Sequence, residues 1–178
     1  MTGAGLDRSG TASPDPAADR LHALVDGLIA CGLTVATAES LTGGLLGAQI
    51  TAVPGASAAF RGGLIVYATD LKASLAHVDP ALLQAGGPVQ RMVAVQLADG
   101  ARAVCGATLG VGLTGVAGPD PVDGRPPGTW FVAVTGRGPA LTRDGTPAPD
   151  EAPRDRATVR ADAVTAAIDL LELALAHR

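Results

Sequence analysis

The chain has 178 residues, 47% hydrophobic and 17% charged, so a core burying roughly 70% of the unfolded surface is within reach and disorder throughout is excluded. A formal charge of −4 offers no basic surface for nonspecific binding to nucleic acid or to an acidic membrane. Aromatic residues are only 2%, so base-stacking platforms and aromatic sugar-binding faces are not expected either.

Residues 1–16 are rich in Gly, Ser, Thr and Pro and carry almost no large apolar side chains, which predicts a mobile tail ahead of a single domain over 17–178. No basic segment leads into an apolar run near Met1, so no secretory signal is read there. No apolar stretch approaches the roughly 18 residues that span a bilayer. A cytoplasmic protein without a membrane partner is the expectation. Cys31 and Cys105 show neither metal-ligand nor disulfide spacing and are read as small buried hydrophobes, with no metal site.

Leu21, Leu24, Val25, Leu28 and Ile29 form the stripe of an amphipathic helix ending near Gly32. Thr34 to Ala38 reads as a strand running into Glu39-Ser40-Leu41-Thr42-Gly43-Gly44, a tight turn that opens a helix. The turn signal Val53-Pro54-Gly55 precedes a second strand over Gly62 to Tyr67. Thr69 is expected to cap a short helix starting at Asp70, with Lys72 in its first turn. Asp79-Pro80 starts a further helix, and Val89 to Val104 a longer one with Val93, Leu97, Ala101 and Val104 on one face. Ala107 to Thr114 and Gly128 to Thr135 read as buried strands around a glycine- and proline-rich loop, Gly115 to Pro127. Gly136 to Pro153 is expected to be a long loop or irregular hairpin. The last helix begins near Arg154 and carries Val164, Ile168, Leu171 and Leu175. Alternating strands and helices indicate a three-layer α/β/α sandwich with a mostly parallel or mixed central sheet.

In such sheets ligands bind beyond the carboxyl ends of the strands. Three segments end strands with suitable polar residues: 39–44, 67–72, and Thr114-Gly115-Val116-Ala117-Gly118-Pro119. Ser40, followed by two glycines at a strand-to-helix turn, has the setting of a serine nucleophile beside oxyanion-holding N–H groups, or else Ser40 or Thr42 caps the helix. His22, His77 and His177 are placed as surface residues rather than triad members. Lys72, the only lysine among 13 basic side chains, is the alternative base: the positive end of a helix and burial both push an amine's pKa down, and a neutral lysine can accept the serine proton where arginine cannot. A solvated lysine is the bland alternative. Tyr67, the only tyrosine, is expected either to relay or hold that proton or to be a core aromatic with a wet tip.

On the motifs Ala38-Glu39-Ser40-Leu41-Thr42-Gly43-Gly44, Val53-Pro54-Gly55-Ala56-Ser57, Gly62-Gly63 with Tyr67 and Lys72, Thr114 to Pro119 and Pro127-Gly128-Thr129, the chain resembles the C-terminal domain of the CinA (competence/damage-inducible) family, which includes stand-alone nicotinamide-nucleotide amidohydrolases. The resemblance runs from about Leu21 to Leu175 and implies hydrolysis of the carboxamide of nicotinamide mononucleotide to nicotinate mononucleotide and ammonia, in pyridine nucleotide salvage. It implies no metal and no cofactor, a small-molecule partner rather than nucleic acid, and a homo-oligomer. Ser40 would be the nucleophile, with Lys72 and Tyr67 handling the proton. Glu39, Thr42, Gly43, Gly44, Thr114, Gly115 and Gly118 would bind substrate, and Arg156 and Arg160, on one helical face, would approach the substrate's phosphate or the oligomer interface, or else are ordinary surface arginines. Two departures stand out: Leu41 where cysteine is usual, and Asp120-Pro121-Val122-Asp123 where the family tends to carry more glycine. The alternative reading is a nucleotide-binding or regulatory module of weak activity.

Overall fold

The computed structural model describes residues 16–148 and 154–176. Its elements run α1 (Pro16–Ala30), β1 (Val35–Glu39), α2 (Leu45–Thr51), a 3-10 turn at Ala56–Ala58, β2 (Phe60–Ile65), α3 (Thr69–Ser74), α4 (Pro80–Gly86), α5 (Arg91–Cys105), β3 (Leu109–Gly115), β4 (Trp130–Thr135), β5 (Leu141–Gly145) and α6 (Arg156–Ala176). Residues 1–15 of the expected tail and His177 lie outside the described residues, and Pro16 opens α1.

The strand order is β2-β1-β3-β4-β5. β1 pairs in parallel with both β2 and β3, while β4 and β5 add to β3 antiparallel, so the sheet is mixed as its sequence allowed. Apolar side chains of α1, α2 and α6 pack on one face around Val35, Leu109, Val111 and Leu113. The other face carries Ala36 and Ala38 against Val93, Leu97 and Ala101 of α5, with Ala76 and Val78 from the stretch after α3. β1 lies between β2 and β3: α2 returns the chain to β2 on one side, and α5 returns it to β3 on the other. The strand order therefore switches direction beside β1, which opens a crevice at the carboxyl ends of β1 and β3.

Of the two alternatives for segment 136–153 the hairpin holds: Leu141–Gly145 pairs antiparallel with β4 as an edge strand, its polar Thr142, Arg143 and Asp144 reflecting a strand with only one neighbour. Several other local expectations change. Cys31 is exposed and Cys105 half-buried, because each sits at the end of a helix rather than on its packed face. Val104 is 48% exposed and Ile29 40%, each at the margin of its helical stripe. Thr69 does not cap α3; it is the first helical residue, and Ala68 takes the cap position without a side-chain bond. Asp79 does cap α4, its Oδ1 accepting the Ala81 N–H at 2.8 Å. Among the described residues no helix is long and apolar enough to cross a membrane.

Candidate active site

Three parallel strands deliver their carboxyl ends to one edge of the sheet, and the segments that leave those ends line a single cleft of about 210 Å3. Ser40 comes after β1, Tyr67, Thr69 and Lys72 after β2, and Thr114 to Gly118 at and beyond the end of β3. Leu41, Pro88, Val89, Asp120, Val122 and Arg156 complete the wall.

Strand alternation fixes which face each residue of β1 serves. Ala36 and Ala38 face α5, and Ser40 continues that row; Val35, Thr37 and Glu39 face α2. The Ser40 N–H still belongs to the ladder, donating to Leu113 O at 3.0 Å. Immediately after it the chain turns through Gly43 and Gly44, both at positive φ, where a Cβ would be strained. α2 starts at Leu45 with Gly44 as cap and no side-chain cap bond, so neither Ser40 nor Thr42 serves as a cap. The turn spends its N–H groups unevenly. Gly43 donates to Ser40 O, Leu45 to Thr42 O, and Gly44 to Glu39, while the N–H groups of Leu41 and Thr42 have no acceptor among the described residues.

Lys72 is 1% exposed, the largest of the fully buried side chains. It lies in the last turn of the short α3, so burial rather than a helix N-terminus governs its charge. Burial pushes the amine down to about 8, partly opposed by Asp70. Its Nζ donates to Val66 O at 2.8 Å and to Tyr67 O at 3.2 Å. A neutral amine has two N–H groups and one lone pair, so these two carbonyls occupy both hydrogens and leave the lone pair over. Ser40 Oγ, in the same cleft, makes no hydrogen bond with any described residue.

Tyr67 contacts Lys72 through its carbonyl, not its hydroxyl. The phenol oxygen accepts from Arg156 NH2 at 2.9 Å, and the same guanidinium donates from NH1 to Gly118 O at 2.9 Å. Arg156 therefore straps two walls of the cleft together at its mouth.

The profile of the CinA C-terminal domain family matches residues 18–175. The chain belongs to the CinA C-terminal domain family. It is 45% identical over 159 residues to a CinA-like protein of Frankia casuarinae, a match covering 89% of this chain but 36% of that protein, so the chain spans about a third of its relative's length. Among solved structures it is similar to the competence/damage inducible protein CihA of Agrobacterium tumefaciens, with a TM-score of 0.83 and 29% identity over 92% of this chain and 98% of that one. A CinA superfamily protein from Klebsiella pneumoniae gives a TM-score of 0.82 at 28% identity, over 92% of this chain and 100% of that one.

Within this CinA domain the cleft gathers Ser40, Lys72, Tyr67, Thr114, Gly115, Gly118 and Arg156 of the residues expected from sequence. It does not gather Glu39, Thr42, Gly43, Gly44 or Arg160. Glu39 is 1% exposed behind the turn, and Thr42 is wholly buried with its hydroxyl unpaired. Arg160 lies one helical turn beyond Arg156 and donates to Leu41 O at 3.1 Å and Thr42 O at 2.7 Å instead of entering the cleft. Pro88 and Val89 are wall residues that sequence reading did not single out for the site: Thr114 Oγ1 donates to Pro88 O at 2.7 Å, a contact across 26 residues that leaves no local signal. His22 and His77 are exposed and stand apart from the cleft.

Proposed function

We propose that this CinA domain is an amidohydrolase that converts nicotinamide mononucleotide to nicotinate mononucleotide and ammonia through an acyl-enzyme on Ser40. The observation that carries this reading is the shared cleft of a serine hydroxyl and a buried amine whose pKa lies near 8 and whose two hydrogens in the neutral form are taken by carbonyls. A hydrogen bond between nucleophile and base is often formed only with substrate in place.

Ser40 Oγ attacks the carboxamide carbon as its proton passes to Lys72 Nζ. The carbonyl oxygen takes up the negative charge and is held by the N–H group of Leu41, the cleft residue of the turn whose N–H has no acceptor among the described residues. Lys72 returns the proton to the nitrogen, the C–N bond breaks and ammonia leaves the Ser40 ester. Water then attacks that ester with one proton going to Lys72, Lys72 passes that proton to Ser40 Oγ as the C–O bond breaks, and the acid product gives its remaining proton to solvent as it leaves as the carboxylate. Arg156, which donates only to neutral oxygens among the described residues, is free to face an anionic part of the substrate at the mouth.

Purified protein given nicotinamide mononucleotide is expected to release ammonia and nicotinate mononucleotide, and Ser40→Ala to abolish release with an unchanged circular dichroism spectrum. Binding of the nucleotide without turnover by the wild type would instead establish a binding module. Tyr67→Phe separates the two proton routes: with Lys72 as the immediate base it lowers kcat less than about tenfold, whereas a loss in the range of about 10²–10⁴ would make the phenol the proton carrier.

A further inference from the structure

We propose that Glu39 and Arg160 are positioning residues that clamp the Ser40–Gly44 turn from behind and so hold Ser40 and the Leu41 N–H in place at the cleft; the inference rests on Ser40 being the nucleophile.

The turn is held from two separate elements. From β1, the buried Glu39 carboxylate accepts the N–H groups of Gly44 and Leu46 on Oε2, each at 3.1 Å, and that of Gly47 on Oε1 at 2.9 Å. The Thr37 hydroxyl donates to Oε1 at 3.3 Å. Ladder and helix start are thereby bolted together across the turn, and the N-terminal donors of α2, the nearest competitors for an anion in the cleft, are already satisfied. From α6, Arg160 Nε and NH2 donate to the carbonyls of Leu41 and Thr42. Holding both carbonyls fixes the planes of the two peptides that directly follow Leu41 and Thr42, and with them the backbone next to the nucleophile. Neither side chain lines the cleft, so neither touches substrate: each acts through the turn.

The test is the rate at which a fluorophosphonate labels Ser40, measured by mass spectrometry, together with kcat and KM for the nucleotide amide. In the labelling step Ser40 Oγ bonds to phosphorus, fluoride leaves, the serine proton goes to Lys72, and the phosphonyl oxygen takes the place of the oxyanion. Glu39→Gln keeps size and two acceptor contacts but orphans one N–H, and Arg160→Met removes both carbonyl contacts. Each is expected to slow labelling on the order of 10²-fold, the scale of one lost oxyanion donor, and to lower kcat with KM within about threefold. Arg160→Lys, able to hold one carbonyl, should recover part of the rate, and the pH midpoint near 8 should stay in place because Lys72 is untouched. Labelling per folded molecule equal to wild type in both variants, with only the melting temperature lowered, would overturn the inference and leave the nucleophile standing. Wild-type labelling without amide turnover removes the amidase reading and keeps the clamp, and a wild type that is not labelled at Ser40 removes both.

Discussion

Lys72→Met is expected to lower acylation of Ser40 by about 10²–10⁴, the usual contribution of a positioned general base, while changing stability in a direction set by pH. The wild-type amine, at about 8 instead of 10.5, is charged and buried below pH 8. That penalty amounts to about 3 kcal/mol. Because the folded-state pKa is the lower of the two, the unfolded chain binds more protons between pH 8 and 10.5, and wild-type stability must climb across that window. The variant lacks the climb. At pH 7 methionine removes the penalty but leaves the carbonyls of Val66 and Tyr67 without their donor, at about 1 kcal/mol each, so a net gain of about 1 kcal/mol is expected. Wild-type kcat/KM should rise about tenfold per pH unit below 8 and level off above it, as the neutral amine accumulates. Lys72→Arg should be as inactive as Lys72→Met, since guanidinium cannot give up its proton. Urea unfolding from pH 7 to 10.5 and a pH–rate profile measure both halves. Parallel stability curves, or an active arginine variant, would remove Lys72 from the mechanism.

The sequence made this centre legible where chemistry was concentrated in short motifs at strand ends. Ser40, Lys72 and the Thr114–Gly118 segment converge because three parallel strands must end on one edge. What misled was treating a motif as a site. Glu39 and Ser40 are adjacent in sequence, yet a strand turns successive side chains to opposite faces, so only one of them reaches the cleft. Arg156 and Arg160 share a helical face, but one turn of helix is about 5.4 Å, enough to carry the second guanidinium past the mouth and onto the turn behind it. Lys72 was expected in a first turn; α3 starts one residue earlier and is too short for its dipole to matter, which leaves burial as the cause of its depressed pKa. Sequence left β5 open between loop and hairpin, because a strand paired on one side has little need of the apolar residues that would mark it.

Gly112→Ala is expected to destabilise the domain by about 3 kcal/mol or more and to lower Ser40 labelling in whatever fraction still folds. In β3, Gly110 and Gly112 lie under α5, and an added Cβ at 112 would collide with the Ala94 carbonyl and stand 2.6 Å from Ala98 N. These are backbone atoms of a helix, so no rotamer change relieves the clash and α5 itself must lift from the sheet. That displacement reaches the cleft: Pro88 and Val89, wall residues just ahead of α5, are tied to β3 by the Thr114–Pro88 hydrogen bond, and Val93, Leu97 and Ala101 pack α5 on the same face as Ser40. Gly124→Ala is the contrasting change, since nothing lies within 4 Å of a Cβ there and the cost is confined to a positive φ in a loop. Thermal unfolding of the two variants should therefore separate by several degrees, with the larger loss at 112. Equal melting temperatures would mean that α5 is free to slide over β3, and that the seating of Pro88 and Val89 does not depend on the glycines beneath it.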